Sequence, residues 1–395
     1  MKRLARTSLV VTAAALLAAA CGGPSAGGGD EGGPIKVGIL ADLTGATADV
    51  GTPYNEGMLD YIAWRNQQGG IEGRLIEPDS NDYAYKVPQA EELYKRYVAE
   101  GAVVIQGWGT SDSDALRGKV AADELPFMSG SLADVLSDPA SSPYTFVPFA
   151  TYNAQIRTAL NWINEDSGGT GKVAVLHIDS PAGAGPAEAG RKWIEEQGMG
   201  LGYSVYPMPS ASNFVALLAK ARDEGAQYLI VQHVSTPAAQ VAKDLKAAGL
   251  PMKLVCLSIC ADEFFVKTAG ADAAEGHIMV NPVTPPSVRK PGHAQLEQFL
   301  ASKGESLADQ NVHYVQGWYT MHAMAVGIEK VLASGEELTG PAVKAALEES
   351  DPIDTGGVSA PIDFSATSHA GSSEAGVYQV TGGRMTELKA PVATP

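Results

Sequence analysis

The stretch Trp108-Gly109-Thr110-Ser111 ends the apolar run VVIQG and leads into a helical pattern. Hydroxyls and backbone N–H groups at such a strand-to-helix turn can hold an anion, because the first N–H groups of a helix are unpaired and carry partial positive charge. The next turn of this kind, SGSLAD, repeats the arrangement with Ser129, Gly130, Ser131 and Ala133. Simpler roles stand beside this one. Ser111 is placed to cap the helix with Asp114 as its capping-box partner, and Trp108 either stacks on a flat ligand or wedges against the core.

Signatures of catalysis are incomplete. SGGTGK (167–172) has Asp166 where a phosphate loop needs Gly and Val173 where it needs Ser or Thr, and it precedes a strand instead of following one. GAGPAE (183–188) sits after a strand, but Glu188 takes the third glycine's place in a dinucleotide fingerprint, where a carboxylate would repel a pyrophosphate. It reads as a tight strand-to-helix turn. No Gly-x-Ser-x-Gly forms a nucleophile elbow between a strand and a helix, GPSAG (23–27) falling in a Gly-rich stretch; there is no His-Glu-x-x-His, and the seven histidines are scattered; His177 and His233 end strands. Cys256 and Cys260, in CLSIC, lack the further Cys and His of a zinc site. They form either a disulfide or two buried free thiols. No metal and no cofactor is expected.

A chain of 395 residues with 45% hydrophobic and 18% charged residues is that of an ordinary globular protein too long for one core, so two domains are expected. Lys2, Arg3 and Arg6 precede the apolar Leu9–Ala20, which is too short to span a bilayer and reads as an export signal over residues 1–20. The small residues before Cys21 resemble a bacterial lipobox, with Ala18 where that pattern prefers Leu; the alternative is a secreted chain cut nearby. GGPSAGGGDEGGP (22–34) holds seven glycines in thirteen residues and forms a flexible tether reaching roughly 20 Å. Removal of the signal leaves 25 basic against 45 acidic side chains, a net charge of −20. Such a surface repels phosphate backbones, which excludes nucleic acid as a partner.

From Ile35 the pattern is strand, turn, helix, repeated: IKVGILADLT, then Thr52-Pro53 as cap and first-turn signal, with Tyr54, Met58 and Ile62 on one helix face. AVVIQGW, PFMSGS and YTFVPFA continue the set. A second set, KVAVLHID, LGYSVYPM, AQYLIVQHV, KLVCLSIC and GHIMVNPV, alternates with helices from about 153 to 248. Continuous apolar strands between helices imply parallel sheets covered on both faces. The expected fold is therefore α/β, two doubly wound parallel-sheet lobes joined by crossover segments near 150, 284 and 350. Lobe 1 comprises 35–150 plus 285–350, and lobe 2 comprises 151–284 plus 351–390. The helices at 293–303, 313–334 and 340–349 have no strands of their own and must pack on an existing sheet. Ligands of such sheets sit beyond the carboxyl ends of the strands, where these loops lie.

The export signal with its lipobox, KVGILADLTGATADVGTPYNEGMLDYIAWRNQQGGIEGR, VVIQGWGTSDSDAL, LPFMSGSLADVL and TAGADAAEGHIMV together resemble the type I periplasmic solute-binding proteins of ABC importers, in particular the branched-chain amino acid (Leu/Ile/Val) class. The resemblance covers nearly the whole mature chain. It implies a monomeric receptor without enzymatic activity, whose lobes close on a small molecule for delivery to a membrane permease, lipid-anchored at Cys21 on the outer face of the membrane. It also implies that residues 107–111, with Ser129, Ser131 and the backbone near Ala133, hold a ligand carboxylate, and that Tyr152 lines the hinge side or is buried there. In the second lobe the chain departs from the family. Ala182 replaces an aromatic that covers the ligand, Ser235 beside His233 replaces a tyrosine, and Ser258 stands at or near the acid that pairs an amino acid's ammonium. An α-amino acid then needs Asp179 or Asp262 as a substitute; otherwise an aromatic or other non-amino acid fits. A sensory receptor on the same clamshell and a secreted α/β enzyme are the rival functions.

Overall fold

The computed structural model of the protein describes residues 32–210 and 213–393. The signal segment, Cys21 and the first part of the tether lie outside the described residues. The first lobe runs β1 (Ile35–Ala41), α1 (Ala48–Gln67), β2 (Ile76–Asp82), α2 (Val87–Ala99), β3 (Val104–Gly107), α3 (Thr110–Ala122), β4 (Phe127–Ser129) and β5 (Thr145–Phe146). Its strands form one parallel sheet in the order β2-β1-β3-β4-β5. The sequence pattern does not reveal β2. Its residues, IEPDSND, are mostly polar and include Pro78, which only an edge strand tolerates; seven residues of ladder with β1, from Ile35 opposite Ile76, hold it in place.

Helix α1 begins a turn earlier than Thr52-Pro53 suggests, leaving Pro53 inside the helix. The entry is fixed by Asp42, whose carboxylate accepts the N–H of Gly45 and of Thr47 at 2.7 and 2.9 Å.

The second lobe runs α4 (Tyr152–Asp166), β6 (Lys172–His177), α5 (Pro181–Glu196), β7 (Gly202–Pro207), α6 (Val215–Asp223), β8 (Tyr228–Gln232), α7 (Ser235–Ala247), β9 (Lys253–Cys256), α8 (Glu263–Ala269), α9 (Ala271–Ala274) and β10 (Ile278–Asn281). GAGPAE therefore lies within α5, not in the turn before it. The chain then returns to the first lobe as α10 (His293–Lys303), α11 (Val312–Ala333) and α12 (Gly340–Glu348) before β11 (Glu374–Thr381) and β12 (Arg384–Ala393). The second sheet has the order β12-β11-β10-β9-β8-β6-β7, parallel except for the antiparallel pair β11 and β12 at its edge.

Helix α11 is apolar on nearly every side and lies in the first lobe's core. Ile353, Val358, Ile362 and Phe364 belong to the same core. Bridges between Ile353 and Ile362 and between Val147 and Ala370 keep this segment there. The last crossing thus falls between 371 and 374, later than the change near 350 read from the sequence. Cys256 and Cys260 are buried free thiols, not a disulfide; Cys260 donates to the carbonyl of Val231.

Candidate functional site

In both sheets the parallel strands follow one doubly wound order, with the reversal between β1 and β3 in the first lobe and between β6 and β8 in the second. The loops at the carboxyl ends of these strands face each other across a cavity, as the topology dictates. The lobes stand closed on it. Ala182 and Val234 of the second lobe join the first lobe's apolar cluster, and several hydrogen bonds run from lobe to lobe.

Of the residues singled out in the sequence, the structure brings Trp108, Gly109, Thr110, Gly130 and Ser131 of the first lobe, Tyr152 at the first crossing, and Ala182, His233 and Ser258 of the second onto the cavity wall. Thr110 and Ser131 hydroxyls bond each other at 2.6 Å, so each has a lone pair or proton to turn toward a ligand. Trp108 wedges against the core and at the same time lines the cavity. Its indole N–H donates to Thr47 Oγ1 at 2.8 Å, Thr47 in turn donates to Asp42 at 2.6 Å, and the ring packs on Tyr54 with centroids 4.8 Å apart.

Ser111, Ser129, Ala133, Asp179 and Ser235 are not among the lining residues. The helical phase explains Ser111. Helix α3 starts at Thr110, so Gly109 is the N-cap and Asp112 the acid that accepts its N–H at 3.2 Å. The capping pair Ser111–Asp114 is not formed, and Asp114 instead pairs with Arg117 at 2.6 Å. Burial pushes Asp112 up to about 7. Ser129 lies behind the wall beside Ser113, Ala133 faces a neighbouring groove with Asn153, Ser235 opens α7 under the carbonyl of Ile259, and Asp179 is exposed.

Among the described residues no Asp, Glu, Lys or Arg lines the cavity. Asp262 is fully buried, and its oxygens are taken by Phe265 N–H at 2.7 Å and Asn311 Nδ2 at 3.0 Å. Neither substitute acid therefore reaches the wall.

Sequence reasoning missed His313 and Gln316 at the start of α11, which line the cavity from the first lobe. His313 Nδ1 meets Gln316 Oε1 at 2.9 Å, and Gln316 Nε2 donates to the carbonyl of Gly130 at 3.2 Å. The available signal was a polar pair one turn apart in an otherwise apolar helix. Thr47, Tyr85 and Ser180 were also missed.

Beside the cavity a seam of carboxylates joins the lobes. Asp49 of α1 accepts the N–H and hydroxyl of Thr236 at 3.2 and 2.9 Å, and Glu263 of α8 accepts the N–H of Val312 at 2.7 Å while its Oε1 is buried without a partner. Burial, with Asp262 adding to it, pushes Glu263 up to about 8; burial also raises Asp49. Opening the cleft is expected to hydrate Glu263 further and move it back toward its ordinary value of about 4.5, so that closing takes up a proton. A group raised in the closed state favours that state most below its open-state value and loses the contribution as pH climbs through the closed-state one. Affinity for a ligand that needs closure is thus expected to fall between about pH 4.5 and pH 8. Glu263→Gln should flatten that slope; calorimetry at pH 5.5, 7 and 8.5 checks it, and an unchanged slope would remove Glu263 from the linkage.

Among the described residues no group of three or more His, Cys, Asp or Glu is placed to hold a metal, and no helix is long and apolar enough to cross a membrane.

Comparison with known proteins agrees with this architecture. The model of the periplasmic binding protein family matches residues 34–384. A leucine-, isoleucine-, valine-, threonine- and alanine-binding protein of Pseudomonas aeruginosa is 23% identical over 314 residues, 79% of this chain and 82% of that protein. The structure of a branched-chain amino acid ABC transporter protein from Thermus thermophilus with bound valine superposes with a TM-score of 0.84 at 23% identity, over 92% of this chain and 97% of that one. A fatty acid ABC transporter substrate-binding protein from Thermomonospora curvata gives 0.82 at 19% identity, over 92% and 93%. The chain belongs to the periplasmic binding protein family and shares the fold of ABC transporter substrate-binding proteins.

Proposed function

We propose that the protein is an extracytoplasmic receptor that closes its lobes on a small, largely apolar carboxylic acid without an ammonium group and presents it to an ABC permease. One observation carries the ligand class: the cavity joins the N-terminus of α3 and the Thr110–Ser131 hydroxyls to apolar walls, and among the described residues no carboxylate lines it. An ammonium enclosed there would lose its hydration without gaining a counter-charge, a cost of several kcal/mol. The relative described as a fatty acid binder supports an acid without an amine; the valine-bound relative favours a branched-chain amino acid as the second reading. Export, lipid on Cys21 and the Gly-rich tether fit a monomeric receptor held at the membrane, and rest on residues 1–34 alone.

The test is a thermal-shift panel of branched-chain amino acids against aliphatic and aromatic acids, followed by calorimetry. A ligand at 100 times its Kd adds about 2.7 kcal/mol of stability. Acids are expected to raise Tm and leucine to leave it unmoved. Ser131→Ala should then weaken acid binding by about 1–3 kcal/mol, the cost of leaving a buried oxygen unpaired; unchanged affinity would take Ser131 out of the site.

A further inference from the structure

His233 follows β8 and opens onto the cavity from the second lobe. Its Nδ1 accepts the N–H of Val234 at 2.8 Å. A ring nitrogen that accepts carries no proton, so the neutral imidazole holds its hydrogen on Nε2. Among the described residues Nε2 has no protein partner. Burial, with His177 nearby adding to it, holds the ring down at about 4, so at neutral pH it is uncharged. His177, the titratable neighbour, directs its own Nδ1 at the carbonyl of Ile178, 2.8 Å away, and takes no part in the wall.

The second lobe therefore presents a fixed N–H donor without charge, flanked by Val234 and by Ala182. A donor in that position pairs with a ligand oxygen and sets N–H against N–H when the ligand brings an ammonium.

We propose that His233 is a specificity-determining residue that reads an acceptor oxygen on the ligand, placing the preferred solute among short apolar 2-oxo acids, which carry a carbonyl where an α-amino acid carries its ammonium. The inference rests on the acid-binding reading above and goes one step past it. The carboxylate belongs to the first lobe, at the start of α3, and the oxo group belongs to the second. Closure brings the two halves of the recognition together, so the 2-oxo acid stabilises the closed state more than the plain acid does.

Four compounds on one carbon skeleton make the test: 4-methylpentanoate, 4-methyl-2-oxopentanoate, 2-hydroxy-4-methylpentanoate and leucine, titrated by calorimetry into the wild type, His233→Leu and His233→Gln. The wild type is expected to bind the 2-oxo acid at least tenfold tighter than the plain acid. His233→Leu should erase that preference by weakening the 2-oxo acid far more than the plain acid, and His233→Gln, which restores an N–H donor, should recover part of it. The preference should hold constant from pH 5.5 to 8.5, since the ring stays neutral throughout. Equal binding of the plain and 2-oxo acids, or an undiminished preference in His233→Leu, overturns this assignment and leaves the acid-binding reading intact. Binding of leucine alone, or of none of the acids, overturns both.

Discussion

Replacing Ser258 by glutamate is expected to cut acid binding about a hundredfold and to give the protein a measurable affinity for leucine. Ser258 is 4% exposed, just beyond β9, and lines the cavity; its N–H is fixed by Gln155 Oε1 at 3.0 Å. A carboxylate introduced there faces the ligand's own carboxylate across the closed cleft. For two like charges about 6 Å apart at an effective dielectric of about 20, the repulsion is roughly 2.8 kcal/mol, which is about two decades of affinity. An ammonium placed in the same field gains what the acid loses. The empty closed form also suffers, because the new charge has no counter-ion there, so the variant should rest more open and melt earlier until leucine is added. Calorimetry with 4-methylpentanoate and leucine reads both effects; acid affinity that stays within a factor of three of wild type would show that residue 258 does not face the bound ligand.

Ser258 is a position that the family resemblance implies, located by spacing from TAGADAAEG. Strands β1, β6, β8 and β9 are continuous apolar runs, so their ends, and the loops beyond them, are legible without a structure. Ser258 does line the cavity. Errors arise where a second element decides. Ser111 was lost by helical phase, since α3 begins at Thr110 and turns the next residue off the wall. Strand β2 has no apolar signature because its ladder with β1, not burial, holds it. His313 and Gln316 lie far along the chain from the loops they join, and only the return of α11 to the first lobe puts Gln316 against Gly130. The seam from Asp49 to Thr236 and from Glu263 to Val312 likewise pairs residues that no local pattern connects.

The return of α11 rests on two glycines, and Gly317→Ala is expected to destabilise the protein although it adds a single methyl group. Helix α1 crosses α11 where Gly57 and Gly317 face each other. A Cβ on Gly317 would fall against the carbonyl oxygen of Tyr54, and one on Gly57 against the carbonyl oxygen of Tyr314, in both cases far inside van der Waals contact. Backbone cannot rotate aside as a side chain can, so the helices must separate and the apolar packing around Trp318, Met58 and Met321 loosens with them. Two effects oppose each other. In an ordinary helix interior, alanine in place of glycine is favourable by about 1 kcal/mol, whereas overpacking of this kind costs about 3 kcal/mol. The close contact wins, and the sign of the change discriminates between them. Chemical denaturation should show a loss of about 2 kcal/mol for either glycine. The double variant should lose less than the sum, because helices already parted for one methyl accept the second at little cost. Gly317 is also one residue past Gln316, so moving α11 pulls the Gln316–Gly130 bond and the His313 ring out of register with the cavity, and ligand affinity should fall together with stability. A more stable Gly317→Ala protein would mean that α1 and α11 do not approach this closely.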